Sequence, residues 1–260
     1  MFRSGVIGSP VSHSLSPRLH EAAFAYLEVE GTSAPFEVTP DDHVAIAHAL
    51  SLNGISITTP MKEVMLSHCS PSPRAVRVGA VNSIRRVGSE LQGDNFDGEG
   101  FHRAIMYQLD VDVRNEIACV YGSGPAARSI VEALLRHGIG GVEVVVRRDI
   151  EPYDLFHDKR VNVTRVPSVR ADLVVNATSL SLAGDVPDLA EAIVSPHTAY
   201  VDVAYVPEVT PWMAEKQFLT DRVANGLHML LWQAKLQLDW WFDTQLPIEV
   251  LTQEIGRAHV

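Results

Sequence analysis

Ile117-Ala-Cys-Val-Tyr121-Gly122-Ser123-Gly124-Pro125-Ala126-Ala127 is the stretch whose reading decides the fold. Five largely apolar residues read as a buried strand, and Arg128 to His137 carries apolar residues at helical spacing, so G-x-G-x-x-A stands where a strand turns into a helix. In that context the first glycine makes the tight turn and the second lets backbone approach a pyrophosphate. The small third residue lets helix and strand pack closely, and the anion sits at the helix N-terminus. A tight turn that binds nothing is the plainer alternative, but the complete strand-to-helix context favours a dinucleotide.

The next strand, Val142 to Val146, ends in Arg147-Arg148, where an NAD site usually carries a carboxylate for the ribose 2′-hydroxyl. Two guanidinium groups suit the 2′-phosphate of NADP instead, through charge-assisted, bidentate hydrogen bonds. Asp149 and Glu151 follow, and they either neutralise the arginines or pair elsewhere on the surface. NADP is the expected cofactor, with NAD possible.

Working outward, Val161 to Val163, Leu173 to Val175 and Tyr200 to Val203 continue a strand series, which implies a doubly wound sheet. Upstream, Val6-Ile7 opens a second series. Ser16-Pro17 reads as an N-cap with proline in the first helical position, leading a helix over Arg18 to Leu27. A strand near Pro35 to Val38, a helix from Asp41 to Leu50 and a strand from Ile55 to Thr58 follow. A hairpin over Val81 to Val87 and Leu91-Gln92 comes next, then a helix beginning near Gly98. The expected architecture is α/β with two domains. Residues 1–98 form a mainly parallel α/β domain, joined by C-terminal helices over 226–260, and 99–225 form a Rossmann-like dinucleotide-binding domain.

Composition narrows the function. Of 260 residues, 32 are acidic and 21 basic, a net charge of -11, which disfavours binding to a phosphate backbone. Cys69 and Cys119 make neither a disulfide framework nor a CxxC site, in keeping with a reducing cytoplasm. No signal-peptide pattern opens the chain, and no apolar run is long enough for a membrane span. The eleven histidines include no HExxH or HxH, so no metal is expected.

Polar residues collect where strands of the first series should end: Ser14, Ser16, Thr58, Lys62, Asn82, Asn95 and Asp97. Open α/β sheets bind ligands at such ends, although Ser16 and Asp97 have a competing reading as helix caps. Together with Gly8-Ser-Pro-Val-Ser-His-Ser14-Leu-Ser16-Pro17, Thr58-Thr-Pro60-Met-Lys62, Gly79-Ala-Val-Asn82-Ser, Gly93-Asp-Asn95-Phe-Asp97-Gly98, Asn176-Ala-Thr178-Ser, Asp202-Val-Ala-Tyr205-Val-Pro207 and Gly226-Leu-His-Met-Leu-Leu-Trp-Gln233-Ala, they make the chain resemble the shikimate dehydrogenase family over nearly its whole length.

The resemblance implies NADP-dependent, reversible reduction of 3-dehydroshikimate to shikimate, a step towards the aromatic amino acids, by a monomer or homodimer that binds neither nucleic acid nor membrane. Quinate or aminoshikimate dehydrogenation is the alternative, and a non-catalytic regulatory protein of the same fold a more distant one. Residue by residue, it implies that Ser14, Ser16, Thr58, Asn82, Asp97, Tyr205 and Gln233 surround the substrate, with Lys62 and Asp97 as the catalytic pair. It also implies that Gly122, Ser123, Gly124, Pro125, Ala126, Ala127, Arg147, Arg148, Asn176, Thr178 and Gly226 line the cofactor. The chemistry agrees, because an alcohol giving up hydride must lose its proton to a base within hydrogen-bond reach. A solvated lysine is a poor base at neutral pH, so exclusion of water must assist it.

Four positions depart from the family pattern: Ser56 for asparagine, Phe96 for threonine, Ser181-Leu182 for Gly-Met, and Arg147-Arg148-Asp149 for Asn-Arg-Thr. Phe96 is expected to reshape the substrate pocket.

Overall fold

A computed structural model of the chain describes residues 1–150, 153–186 and 191–256. Chain contacts divide it into Met1–Phe96 with the chain from Leu231 onward, and Asp97–Leu230.

The first unit contains β1 (Phe2–Gly8), α1 (Ser16–Tyr26), β2 (Gly31–Glu37), α2 (His43–Ala49), β3 (Gly54–Ile57), α3 (Met61–Val64), β4 (Ser70–Pro71), α4 (Pro73–Val78), β5 (Ser83–Val87) and β6 (Glu90–Asp94). The strands form one sheet in the order β2-β1-β3-β5-β6-β4. β1 runs parallel to β2 and β3, whereas β5 is antiparallel to both β3 and β6. β2 starts four residues before the expected Pro35. Gly31-Thr-Ser-Ala carries no apolar run because β2 lies at the sheet edge with β1 as its neighbour, and its residues alternate between exposed and half-buried. Ile7, Ile46, Ile55, Ile57, Met61 and Ile84 form the core against this sheet.

The second unit contains α5 (Asp97–Leu109), β7 (Ile117–Tyr121), α6 (Pro125–Arg136), β8 (Gly141–Val145), β9 (Val161–Thr164), β10 (Leu173–Asn176), β11 (Ala199–Asp202), α7 (Pro211–Lys216) and β12 (Val223–Ala224). Its sheet is wholly parallel in the order β12-β11-β10-β7-β8-β9. This is the doubly wound arrangement, and the strand order reverses between β7 and β10. The central strands are buried along their length, which is why they read as continuous apolar runs.

α8 (Leu227–Phe242) and α9 (Ile248–Gly256) complete the chain. The division falls inside α8, not at 225/226 as the sequence suggests, because the helix is continuous. Its start packs His228 on Tyr107, while its end packs Trp241 and Phe242 on Phe2. Two capping expectations are corrected. Ser16 is the first helical residue of α1, not its cap, and its N–H donates to Ser14 Oγ at 3.3 Å. Asp97 likewise lies within the first turn of α5.

Candidate functional site

In the first unit, strand direction gathers the expected polar residues. β1 and β3 end at the same edge of the sheet, antiparallel β5 begins there and β6 ends there. Ser14 and Ser16 therefore follow β1, Thr58 and Lys62 follow β3, Asn82 precedes β5, and Asn95 and Phe96 follow β6. The edge is tied by backbone bonds: Thr58 N to Ile7 O at 2.9 Å, Ile57 N to Asn82 O at 2.8 Å and Val81 N to Lys62 O at 2.9 Å. Asn82 is oriented from both ends, its Nδ2 donating to Gln233 Oε1 at 3.1 Å and its Oδ1 accepting from Phe96 N at 2.8 Å. Asn95 is buried and donates to Ala80 O, which makes it a brace for the segment before β5. Lys62 is half-buried in the single turn of α3. Asp97 and Tyr205 belong to the second unit. Burial raises the Tyr205 phenol, so at neutral pH it remains a hydrogen-bond donor.

In the second unit the glycine loop lies at the point of strand-order reversal. Gly122 has φ +107°, and a Cβ there would press on Ala177 O at 3.0 Å, so the turn after β7 and the turn after β10 touch through a position only glycine tolerates. Gly124 is the N-cap of α6, and the space where its side chain would stand is open. That cradle, at the end of a helix with unpaired N–H groups, fits a pyrophosphate. Gly226 is needed for close approach, since a Cβ there would collide with Val203 O.

Arg147 and Arg148 are both exposed at the end of β8. Asp149 does not neutralise them: its ion pair, at 2.9 Å, is with Arg165. Glu151 lies outside the described residues. The sequence reading missed Arg128, which is 2% exposed, donates to Ser123 O at 3.1 Å and stacks 3.9 Å over the Tyr153 ring. It props the loop from within the helix.

A second group the sequence reading missed lies beneath the β10 turn. Asp202, at the end of β11, is fully buried, and its Oδ2 accepts from Ser181 Oγ at 2.6 Å, Thr210 Oγ1 at 2.8 Å and Asn176 Nδ2 at 3.2 Å. Its Oδ1 accepts from Ala204 N at 3.0 Å. Asn176 in turn accepts from Thr178 N and Oγ1, an Asx-turn that sets the backbone facing Gly122. Asn176 is thus committed to protein contacts, and it shapes the turn from below. Ser181, one of the departures, is accounted for by its bond to Asp202. The only sequence signal for this hub was a carboxylate ending an otherwise apolar strand.

The remaining departures are absorbed in packing. Phe96 is 6% exposed, with its ring beside Trp240 at 5.5 Å and under the Arg74 guanidinium at 4.9 Å, so it fills the interior of the first unit. The expectation that it reshapes the pocket has no support in this placement. Ser56 accepts from Gln237 Nε2 at 2.5 Å and bonds His20 Nε2 at 2.9 Å. His20 is fully buried, with Ser33 Oγ at 2.8 Å and the Trp241 ring 4.9 Å away, and burial pushes its pKa down to about 3. An unfolded histidine takes up its proton near pH 6.5 and the folded one does so only near pH 3, so stability is complete above pH 6.5 and declines as the pH falls. From pH 7 to pH 5 this one group should remove about 2 kcal/mol. Urea unfolding at the two pH values tests it, and His20→Gln should flatten the decline by that amount.

Comparison with known proteins gives a consistent result. The sequence profile described as the shikimate dehydrogenase substrate binding domain matches residues 6–84. The shikimate dehydrogenase (NADP(+)) of Geobacter sulfurreducens is 33% identical over 94% of this chain and 92% of its own length, and that of Desulforamulus reducens is 31% identical over 95% and 92%. Among solved structures, the Thermus thermophilus shikimate 5-dehydrogenase in complex with NADP(H) and shikimate superposes with a TM-score of 0.84 and 30% identity, covering 99% of this chain and 100% of that one.

Proposed function

The chain belongs to the shikimate dehydrogenase family, and from that membership we propose that it catalyses the NADP-dependent, reversible reduction of 3-dehydroshikimate to shikimate. The observation that carries the proposal is the polar edge around Lys62 in one unit, combined with the glycine loop at the strand-reversal point of the other. The first unit is the substrate domain and the second the NADP domain.

In this reading Ser14, Ser16, Thr58, Asn82, Tyr205 and Gln233 hold the substrate carboxylate and hydroxyls. The Asn82–Gln233 bond fixes both amides before substrate arrives, which lowers the ordering cost of binding. Lys62 takes the proton of the reacting hydroxyl during oxidation and returns it during reduction, and Asp97 orients that hydroxyl. Gly122, Ser123, Gly124, Pro125, Ala126 and Ala127 would cradle the NADP pyrophosphate. Thr178 and Gly226 would border the cofactor, and Asn176 would act through the turn it braces. The cofactor, when bound, would supply the hydride for reduction in its reduced form and accept it during oxidation in its oxidised form. No helix among the described residues is long and apolar enough to cross a membrane, and we place the enzyme in the cytoplasm.

Absorbance of reduced nicotinamide, with shikimate and quinate each offered NADP and NAD, tests the proposal. Turnover of shikimate with NADP is expected, and a preference for quinate or no turnover at all would overturn it. The exposed arginine pair gives a sharper result. Hydrogen bonds to charged groups contribute about 1.5–3 kcal/mol each, so Arg147→Ala with Arg148→Ala should raise KM for NADP about tenfold or more. KM for NAD should hardly change. Equal effects on both cofactors would remove the arginines from the 2′-phosphate site.

A further inference from the structure

Glu99 and His102 lie one turn apart on α5, and His137 is the C-cap of α6. One ligand atom from each falls within 4.8 Å of the others. A Glu-x-x-His pair on one helix facing a histidine on another is an arrangement that holds metal ions between helices. It escaped the sequence reading, which expected no metal, because the third residue is 35 positions from the second and only the packing of α5 on α6 unites them.

We propose that Glu99, His102 and His137 form a binding site for a single divalent transition-metal ion of the zinc class, separate from the substrate and cofactor residues. His102 is the observation that points to a ligand: it is 8% exposed, its ring makes no hydrogen bond among the described residues, and it lines a cavity of about 360 Å³ together with His137, Asp110, Asp112 and Arg114, whose guanidinium is held by Asp112. The cavity admits an ion and leaves a position for water. The His102 and His137 rings are stacked 3.5 Å apart and 4° from parallel, so one ring must turn about its terminal torsion for both to direct an in-plane lone pair at the same ion. Burial, with His137 alongside, holds His102 low, at about 4.

The ion replaces the hydrogen bond between His137 Nε2 and Glu99 Oε2, now 2.9 Å. Arg103 stays on Glu99 Oε1 at 3.1 Å and orients the carboxylate, whereas Arg136, 2.8 Å from Oε2, competes with the ion and lowers its affinity. Zinc–nitrogen and zinc–oxygen distances near 2.1 Å require ligand atoms about 3.4 Å apart. The three groups therefore close by about 1.4 Å, within reach of side-chain rotation about the soft terminal torsions. Nitrogen, nitrogen and oxygen donors with a water suit zinc or cobalt better than magnesium or calcium.

The test is calorimetric titration of chelator-treated, full-length protein with zinc chloride, alongside His102→Gln and His137→Gln. One ion per chain is expected, with affinity at least tenfold weaker in either variant and a zinc-dependent rise in Tm confined to the parent. Cobalt added to the parent should give the intense visible bands of a four-coordinate site, a readout that stands even if a variant fails to fold. Equal zinc affinity in parent and variants would place the binding on other histidines and overturn the proposal. So would the absence of saturable binding below about 1 mM, or a six-coordinate cobalt spectrum.

Discussion

Lys62→Ala should lower kcat about a thousandfold while leaving the affinities for shikimate and NADP within a fewfold of the parent. A positioned general base contributes about 10²–10⁴ in rate, and in the proposed mechanism no other group takes the proton of the reacting hydroxyl. The substitution is well suited to isolating that role. α3 is a single turn whose buried anchor is the neighbouring Met61, fully shielded from solvent. The backbone bond from Val81 N to Lys62 O does not depend on the side chain, and alanine is the best helix former. Pre-steady-state hydride transfer together with calorimetric binding distinguishes a lost base from a lost contact. A variant that binds both ligands and turns over normally would remove Lys62 from the mechanism.

The largest effect on stability should come from Asp202→Ala. The carboxylate is fully buried and satisfies Ser181, Thr210, Asn176 and the Ala204 N–H. Removing it strands several buried donors, at about 1–3 kcal/mol for each that finds no new partner. A total of about 3–5 kcal/mol is expected, equivalent to a fall in Tm of about 10 °C for a chain of this size. Asp202→Asn should be nearly as harmful despite its matching shape, because an amide NH₂ replacing one oxygen would face donors. The hub also sets the β10 turn that touches Gly122, so surviving enzyme should show a raised KM for NADP with KM for shikimate nearly unchanged. Thermal unfolding and steady-state kinetics check both statements, and a loss of affinity for shikimate alone would contradict the second.

Particular elements explain how far a reading of residues reached. The strand Ile117–Tyr121 agrees with the structure to the residue, because a buried central strand announces itself as an apolar run closed by glycine. β2 is displaced because an edge strand with Gly, Thr and Ser in its first half has no such pattern. α3, α4 and α7, of four to six residues, are too short to show helical periodicity, and so went unmarked. The polar residues at the edge around Lys62 are legible through their resemblance to a known pattern more than through spacing. Each taken alone reads equally well as a cap or a surface side chain. Ser16 and Asp97 show the limit of capping rules, since both turn out to lie inside the helices they seemed to introduce.

What the sequence by itself determined are the properties set by neighbours along the chain. These are the alternation of strand and helix, the glycine turn with its demand for a positive φ, and the arginine pair ending β8 where a carboxylate is usual. What only the tertiary structure decided are the partnerships between distant residues: Asn82 with Gln233, Arg128 with Tyr153, Ser181 with Asp202, Asp149 with Arg165, and Glu99 with His102 and His137. The physical reason is that a local pattern fixes which way a backbone turns and which face it buries. The satisfaction of a buried polar group depends on whichever strand end or helix face the packed sheet brings to within about 3 Å of it.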